Sequence, residues 1–171
     1  MTTIRVCTPA DAEVLSTLGL QTFKETFGDA NSEEDMALYI KNNFSVERLN
    51  QEFEEQDALF FLAELNAVAV GYAKIRSSKN PVELKDEKAL EIERIYAVKN
   101  VVGKGIGSQL MQTCLDYAKS NGYDTVWLGV WENNTHAIKF YQRWGFEKFS
   151  QHIFMLGNDP QTDHLMKKQL I

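Results

Sequence analysis

Three glycines at alternate positions, Gly103, Gly105 and Gly107, follow an apolar stretch over residues 89–98 and open an amphipathic one, with Lys104 between them. Without a Cβ, the main-chain N–H groups there can turn toward an anion, and the first turn of a helix adds unpaired donors and the positive end of its dipole. Gly103, Lys104, Gly105, Ile106, Gly107 and Ser108 are thus candidates to grip a phosphate. Their spacing fits neither the Walker loop nor the G-x-G-x-x-G dinucleotide pattern, and the same glycines also suit a turn that only lets helix and strand pack closely. Downstream, Ala137 and Tyr141 lie four apart, on one face of a predicted helix. There the small residue would admit a ligand beside the phenol, although a packed tyrosine satisfies the same pattern. Asn134, at the start of that helix, could hydrogen-bond an amide-bearing arm. Upstream, strand alternation puts Glu91 and Glu93 on one face and Arg94 on the other.

The elements that must position these groups are punctuated clearly. Residues 2–7 alternate as a short strand, and Thr8-Pro9 is an N-cap followed by proline at the first helical position. The helix after it carries Ala12, Leu15, Leu18, Phe23 and Phe27 at helical spacing and stops at Gly28. Ser32 and Ser45 cap two further helices, the first with Glu33, Glu34 and Asp35 at the favourable end of its dipole and Met36, Tyr39 and Ile40 as its buried stripe. Strands are then predicted over residues 58–65 and 68–76, turning at Asn66, and over 89–98. A helix from Ile106 ends at Asn121-Gly122, a strand covers 125–131, a short helix 135–144 closes at Gly145, and strands cover 146–156 and 162–170. This order implies an α/β fold, a mixed sheet with helices on its faces.

At 171 residues, with 44% hydrophobic and 11% aromatic side chains, the chain suits one domain over residues 1–171. Eighteen Lys and Arg against twenty-four Asp and Glu give a net charge of −6, the wrong sign for a surface that follows phosphate backbones, so no nucleic acid is expected. The N-terminus lacks a cationic start with an apolar run, and no window approaches 18 apolar residues. A cytoplasmic protein without a membrane partner is expected. Cys7 and Cys114 fall in apolar settings and read as core. His136 is placed with its side chain off the ligand face, His152 and His164 sit in late strands, and no spacing suits a metal, so none is predicted. Trp127, Trp131 and Trp144 read as core or cleft-wall aromatics.

From residue 90 to residue 146 the sequence resembles the GNAT family of acetyl-CoA-dependent N-acetyltransferases. Their cofactor loop, Gln/Arg-x-x-Gly-x-Gly/Ala, is matched at Gly105 and Gly107, with Val102 where Gln or Arg is usual. Their second signature, Asn-x-x-Ala-x-x-x-Tyr-x-x-x-Gly-Phe, is matched without a gap by Asn134, Ala137, Tyr141, Gly145 and Phe146. The resemblance implies the GNAT fold, a mixed and mostly antiparallel sheet flanked by helices on both faces, with acetyl-CoA as cosubstrate. It also implies Tyr141 as general acid and binding of the cofactor by the strand and its end, Tyr96, Ala97 and Val98, with backbone donors at Ala97 or Val98. Counting back from the loop, Glu93 falls where spermidine/spermine acetyltransferases of this family carry a water-activating glutamate, with Glu91 in reserve.

Such a base or a desolvating site is needed, because an aliphatic ammonium near pKa 10.4 is neutral in only about one molecule in a thousand at pH 7. The first third of the chain is similar to the PaiA-type polyamine acetyltransferases, whose helices wall the acceptor cleft. That likeness implies a small-molecule amine such as spermidine or spermine, held by acids such as Glu25, Glu33 and Glu91, although a solvated charged face explains the helical acids equally. The alternatives are a peptide N-terminus, a lysine or an amino-sugar, or a regulatory module that binds CoA without catalysis, which Val102 alone supports. Direct transfer in a ternary complex is expected, since no Gly-x-Ser-x-Gly elbow offers a covalent route. Exposed strand edges near the C-terminus could pair two copies into a homodimer.

Overall fold

The computed structural model describes residues 1–170. Seven strands form one sheet in the order β1-β2-β3-β4-β5-β7-β6. They are β1 (Thr2–Val6), β2 (Ala58–Leu65), β3 (Val68–Arg76), β4 (Ala89–Ala97), β5 (Thr125–Trp131), β6 (Glu147–Leu156) and β7 (Asp159–Gln169). Only β4 and β5 are parallel neighbours; every other pair is antiparallel. The helices are α1 (Ala12–Phe27), α2 (Glu33–Asn43), α3 (Val46–Phe53), α4 (Ile106–Ser120) and α5 (Thr135–Arg143). Mixed order and helices on both faces match the GNAT architecture expected from the motifs.

Local chemistry accounts for the boundaries. Ser32 and Ser45 accept hydrogen bonds from the Asp35 and Arg48 amides, each at 3.1 Å, and so begin α2 and α3. The β2–β3 hairpin turns through Asn66 and Ala67, both at positive φ (51° and 66°), the conformation whose twist suits a two-residue hairpin. The last strand starts three residues earlier than periodicity suggested, because Pro160 lies within its first two residues, where no interior ladder bond is lost. β1 and β6 are the sheet edges, and β6 is the open edge near the C-terminus.

Two cores flank the sheet. Under α4 and α5, Ile75, Leu90, Ile92, Leu110, Cys114, Leu128 and Met166 pack together with Tyr141. On the other face α1 and α3 cover Phe60, Leu62 and Tyr72, while Phe23, Phe27, Met36 and Phe44 form a second cluster with Leu156 of β6. The charged residues of α2 serve this docking: Asp35 accepts a hydrogen bond from the Asn158 amide (3.0 Å) in the β6–β7 turn.

One irregularity in β4 matters for function. Lys74 pairs with Arg94 and Ile75 with Ile92, so Glu93 is an extra residue bulged out of the ladder. Simple alternation would separate Arg94 from the glutamates. The bulge instead brings Glu91, Glu93 and Arg94 to the face covered by α1–α3, where they meet Lys74 and Arg76 of β3.

Candidate active site

The pairing of β4 with β5 ends at Ile92 and Leu128, although β4 runs on to Ala97 and β5 to Trp131. Beyond that point the strands part. The Val98 amide donates to the Val70 carbonyl (2.9 Å). By the alternation of an antiparallel ladder Tyr96 also faces β3, so the peptide groups of Ile95 and Ala97 turn into the gap. Opposite them, the Glu132 amide bonds to Thr162 (3.0 Å), which turns the peptides of Gly129 and Trp131 away from β7 and into the same gap. Main-chain groups in such a position require partners, and an amide-bearing arm lying between the strands would supply them.

The α4 terminus continues this line. Gly103 (φ 90°) and Gly105 (φ 84°) adopt left-handed conformations, and a Cβ on either would meet nothing within 4 Å. The Lys104 amide is used by Val101 (3.1 Å) and that of Gln109 by Gly105 (3.0 Å). Among the described residues no main-chain acceptor is found for the N–H groups of Gly103, Gly105, Ile106, Gly107 and Ser108. An open cradle of unpaired donors at the positive end of a 15-residue helix fits a diphosphate. Acetyl-CoA suits both parts, with its diphosphate at the loop and its pantetheine arm between β4 and β5.

The gap opens into a cleft of about 650 Å³ that reaches both faces of the sheet. Tyr96, Ala97, Asn134, Ala137 and Tyr141 line it, as do Glu25, Glu91 and Glu93. The α4 loop lies beyond its rim, which Lys99 and Val102 form. Asn134 caps α5 by accepting the Ala137 amide on Oδ1 (3.2 Å), so its amide nitrogen is the atom left for a ligand. Tyr141 is buried, and burial, followed by the Cys114 thiol, raises its phenol above the ordinary range and keeps it protonated at neutral pH.

Several expectations are corrected. The Val98 amide is consumed by β3 and its side chain is buried, so Ala97, joined by Ile95, offers the strand donors. The Ile106 side chain is also buried, which leaves only its N–H to a ligand. Glu33 does not line the cleft; it is exposed in the first turn of α2. His136 does line it.

The carboxylates expected to hold an amine already have partners. Glu25 accepts the Lys99 amide (3.0 Å), and Glu91 pairs with Arg76 (2.6 Å). Burial raises the Glu91 carboxyl, and the Arg76 hydrogen bond opposes that only in part. Glu93 stands 2.7 Å from Lys74, 3.2 Å from Arg76 and 3.6 Å from Arg94. Burial raises it too, but the charges of Arg94, Lys74 and Arg76 win and hold it below the usual carboxylate range.

Beside Trp131, which was expected in the core or the cleft wall, the far end of the cleft also contains residues that motif reading missed. Phe23 stacks on Tyr39 (4.5 Å, 7°), Phe27 meets Trp131 (5.4 Å) and Phe154 (6.4 Å), and all five line the cleft beside His152 and Asp163. The helical aromatics carried a signal, since their spacing marks a buried stripe, but a cleft wall and a core stripe have the same period. No motif marks His152 or Asp163.

The family model described as "Acetyltransferase (GNAT) family" matches residues 20–146. The chain is 37% identical over 151 residues to an uncharacterised N-acetyltransferase in the pepI 3′ region of Lactobacillus delbrueckii subsp. lactis, covering 88% of this chain and 87% of that one. A spermine/spermidine N(1)-acetyltransferase of Bacillus subtilis is 32% identical over 57 residues, 33% of this chain and 38% of its own. Among solved structures, the PaiA N-acetyltransferase of Thermoplasma acidophilum in complex with coenzyme A superimposes with a TM-score of 0.82 over 99% of both chains. At 24% identity that likeness speaks to the fold. With one signature segment lining the parted-strand cleft and the other set just beyond its rim, the chain belongs to the GNAT family and is an acetyl-CoA-dependent N-acetyltransferase.

Proposed function

We propose that the chain acetylates a primary aliphatic amine that enters the cleft as an ammonium, with a polyamine such as spermidine or spermine as first candidate. The observation that carries this reading is the acceptor end itself, where Phe23, Phe27, Tyr39, Trp131 and Phe154 line the same cleft as the carboxylate of Asp163. Aromatic faces and a carboxylate suit a cation that must also lose water and a proton. The net charge of −6 and the polyamine-acetylating relative in Bacillus subtilis support the same acceptor. A cytoplasmic setting fits two buried, unpaired cysteines.

Acetyl-CoA supplies the activated acyl carbon when bound. The amides of Ile95 and Ala97 hold and polarise its carbonyl, the α4 loop anchors the far end, and Tyr141 donates its phenolic proton to the departing sulfur. Both cysteines are buried and neither lines the cleft, consistent with direct transfer in a ternary complex.

The test is release of CoA thiol with spermidine, spermine, a lysine peptide, a peptide with a free N-terminus and glucosamine. Polyamines should give the highest kcat/KM. Selective turnover of a peptide or of glucosamine would replace the acceptor class. Tight CoA binding without turnover of any amine would remove the catalytic reading.

A further inference from the structure

Asp163 lies on β7, opposite Trp131 of β5 and His152 of β6. Its side chain is 18% exposed, and Oδ2 stands 3.5 Å from Nε2 of His152, whose imidazole is 50% exposed. The same Oδ2 lies 3.2 Å from where a Cβ on Gly129 would stand. Gly129 is the first residue of β5 past Leu128, the last to pair with β4. The carboxylate therefore hangs over the point at which the two strands part, on the acceptor side of the sheet.

The surroundings of Asp163 differ from those of Glu93. His152 faces it from β6, Tyr39 of α2 and Glu93 and Arg94 of β4 line the same cleft, and β5 presents the uncharged Gly129 and Trp131. Burial raises the Tyr39 phenol, and Glu93 and Asp163 both add to that rise while Arg94 opposes it. Glu93 would have to give up three cations to gain a proton. Asp163 has one partner, a histidine open to solvent.

We propose that Asp163 is the carboxylate that docks the acceptor ammonium and takes its proton, with His152 passing that proton to solvent and Glu93 acting as a positioning residue; the assignment rests on the amine-acceptor reading above. One N–H bond of the ammonium breaks and its proton moves to Asp163, leaving the nitrogen lone pair free. That pair forms the C–N bond as the C–S bond breaks, and the sulfur takes the proton of Tyr141. The second proton, lost by nitrogen as the amide forms, restores the phenol, and the first leaves through His152, so one proton is released per turnover. Burial raises the Asp163 carboxyl to about 6, with His152 drawing it part of the way back. Desolvation in the cleft likewise disfavours the charged ammonium and draws it down from its value near 10.4 in water, which narrows the gap the proton must cross.

The test is the pH profile of kcat/KM for whichever amine of the panel is turned over fastest, together with a carbon-13 titration of the Asp163 carboxyl in CoA-free protein. The wild type should lose activity as pH falls through about 6, because a protonated carboxyl accepts nothing, and the carbon signal should titrate at the same point. Asp163→Asn should cost about a hundredfold or more in kcat/KM and remove the acidic limb, with thermal melting showing that the fold is kept. His152→Gln should move the limb to higher pH, since the influence that lowers Asp163 is gone. Glu93→Gln should leave the limb in place. An Asp163→Asn enzyme within threefold of wild type with the limb unchanged, or a limb that vanishes in Glu93→Gln, would overturn the assignment while the amine acetyltransferase reading stands. Turnover of no amine at all would overturn both.

Discussion

The Glu52→Gln substitution probes the charge cluster that shapes the acceptor side of the cleft. Glu52 and Lys74 are both 0% exposed and lie 2.6 Å apart; Glu52 also holds Arg94 at 3.0 Å and the half-exposed Arg48 at 3.4 Å. An amide keeps the shape and some hydrogen bonding but leaves Lys74 and Arg94 short of one negative charge. Removing one partner of a buried pair costs about 3–5 kcal/mol. Lys74 would keep Glu93 (2.7 Å) and Glu55 (3.5 Å), which places the loss at the lower end. About 3 kcal/mol lowers Tm by about 6–12 °C in a chain of this size. Thermal melting by circular dichroism at pH 7 is the assay. Lys74→Met in the same chain should recover at least half of the loss, because it removes the stranded charge. A Tm within about 2 °C of wild type for Glu52→Gln would refute the reasoning, since it would mean that the pair is not truly desolvated.

Other outcomes follow from the same geometry. Gly105→Ala places a Cβ at φ 84° where nothing else collides; the left-handed conformation alone costs about 1–2 kcal/mol. The loop should shift and weaken CoA binding about tenfold, equivalent to about 1.4 kcal/mol, whereas an unchanged Kd by calorimetry would separate the loop from the diphosphate. Cys7 and Cys114 are buried and their thiols are pushed up to about 12. Ellman's reagent should therefore label neither in the native protein at pH 8 and both in guanidinium; rapid native labelling of Cys114 would contradict the packing under α4.

The geometry of the glycine loop and of the α5 face was readable because its determinants are local. A glycine run between strand and helix, and an asparagine, an alanine and a tyrosine along one short helix, place their own groups without help from distant chain. The serine caps of α2 and α3 were legible for the same reason. The acceptor side depends on tertiary arrangement. A bulge at Glu93 breaks the period of two at a single residue and moves Arg94 across the sheet, and nothing in the composition of β4 announces it. Phe23, Phe27 and Tyr39 show that a helix face is apolar without showing whether it meets a core or a cleft. Glu33 sits where a helix dipole welcomes any acid, which is why its charge said little about a ligand. Asp163 reaches the cleft only because β7 inserts between β5 and β6, out of chain order.

Whether Tyr141 stands beside an acyl group delivered between β4 and β5 is decided by the Tyr141→Phe enzyme, followed by thiol release and by CoA calorimetry on the same preparation. The CoA Kd should stay within about twofold of wild type while turnover falls by about one to three orders of magnitude. Turnover within about threefold of wild type, or a loss of CoA affinity as large as the loss of rate, would contradict that placement.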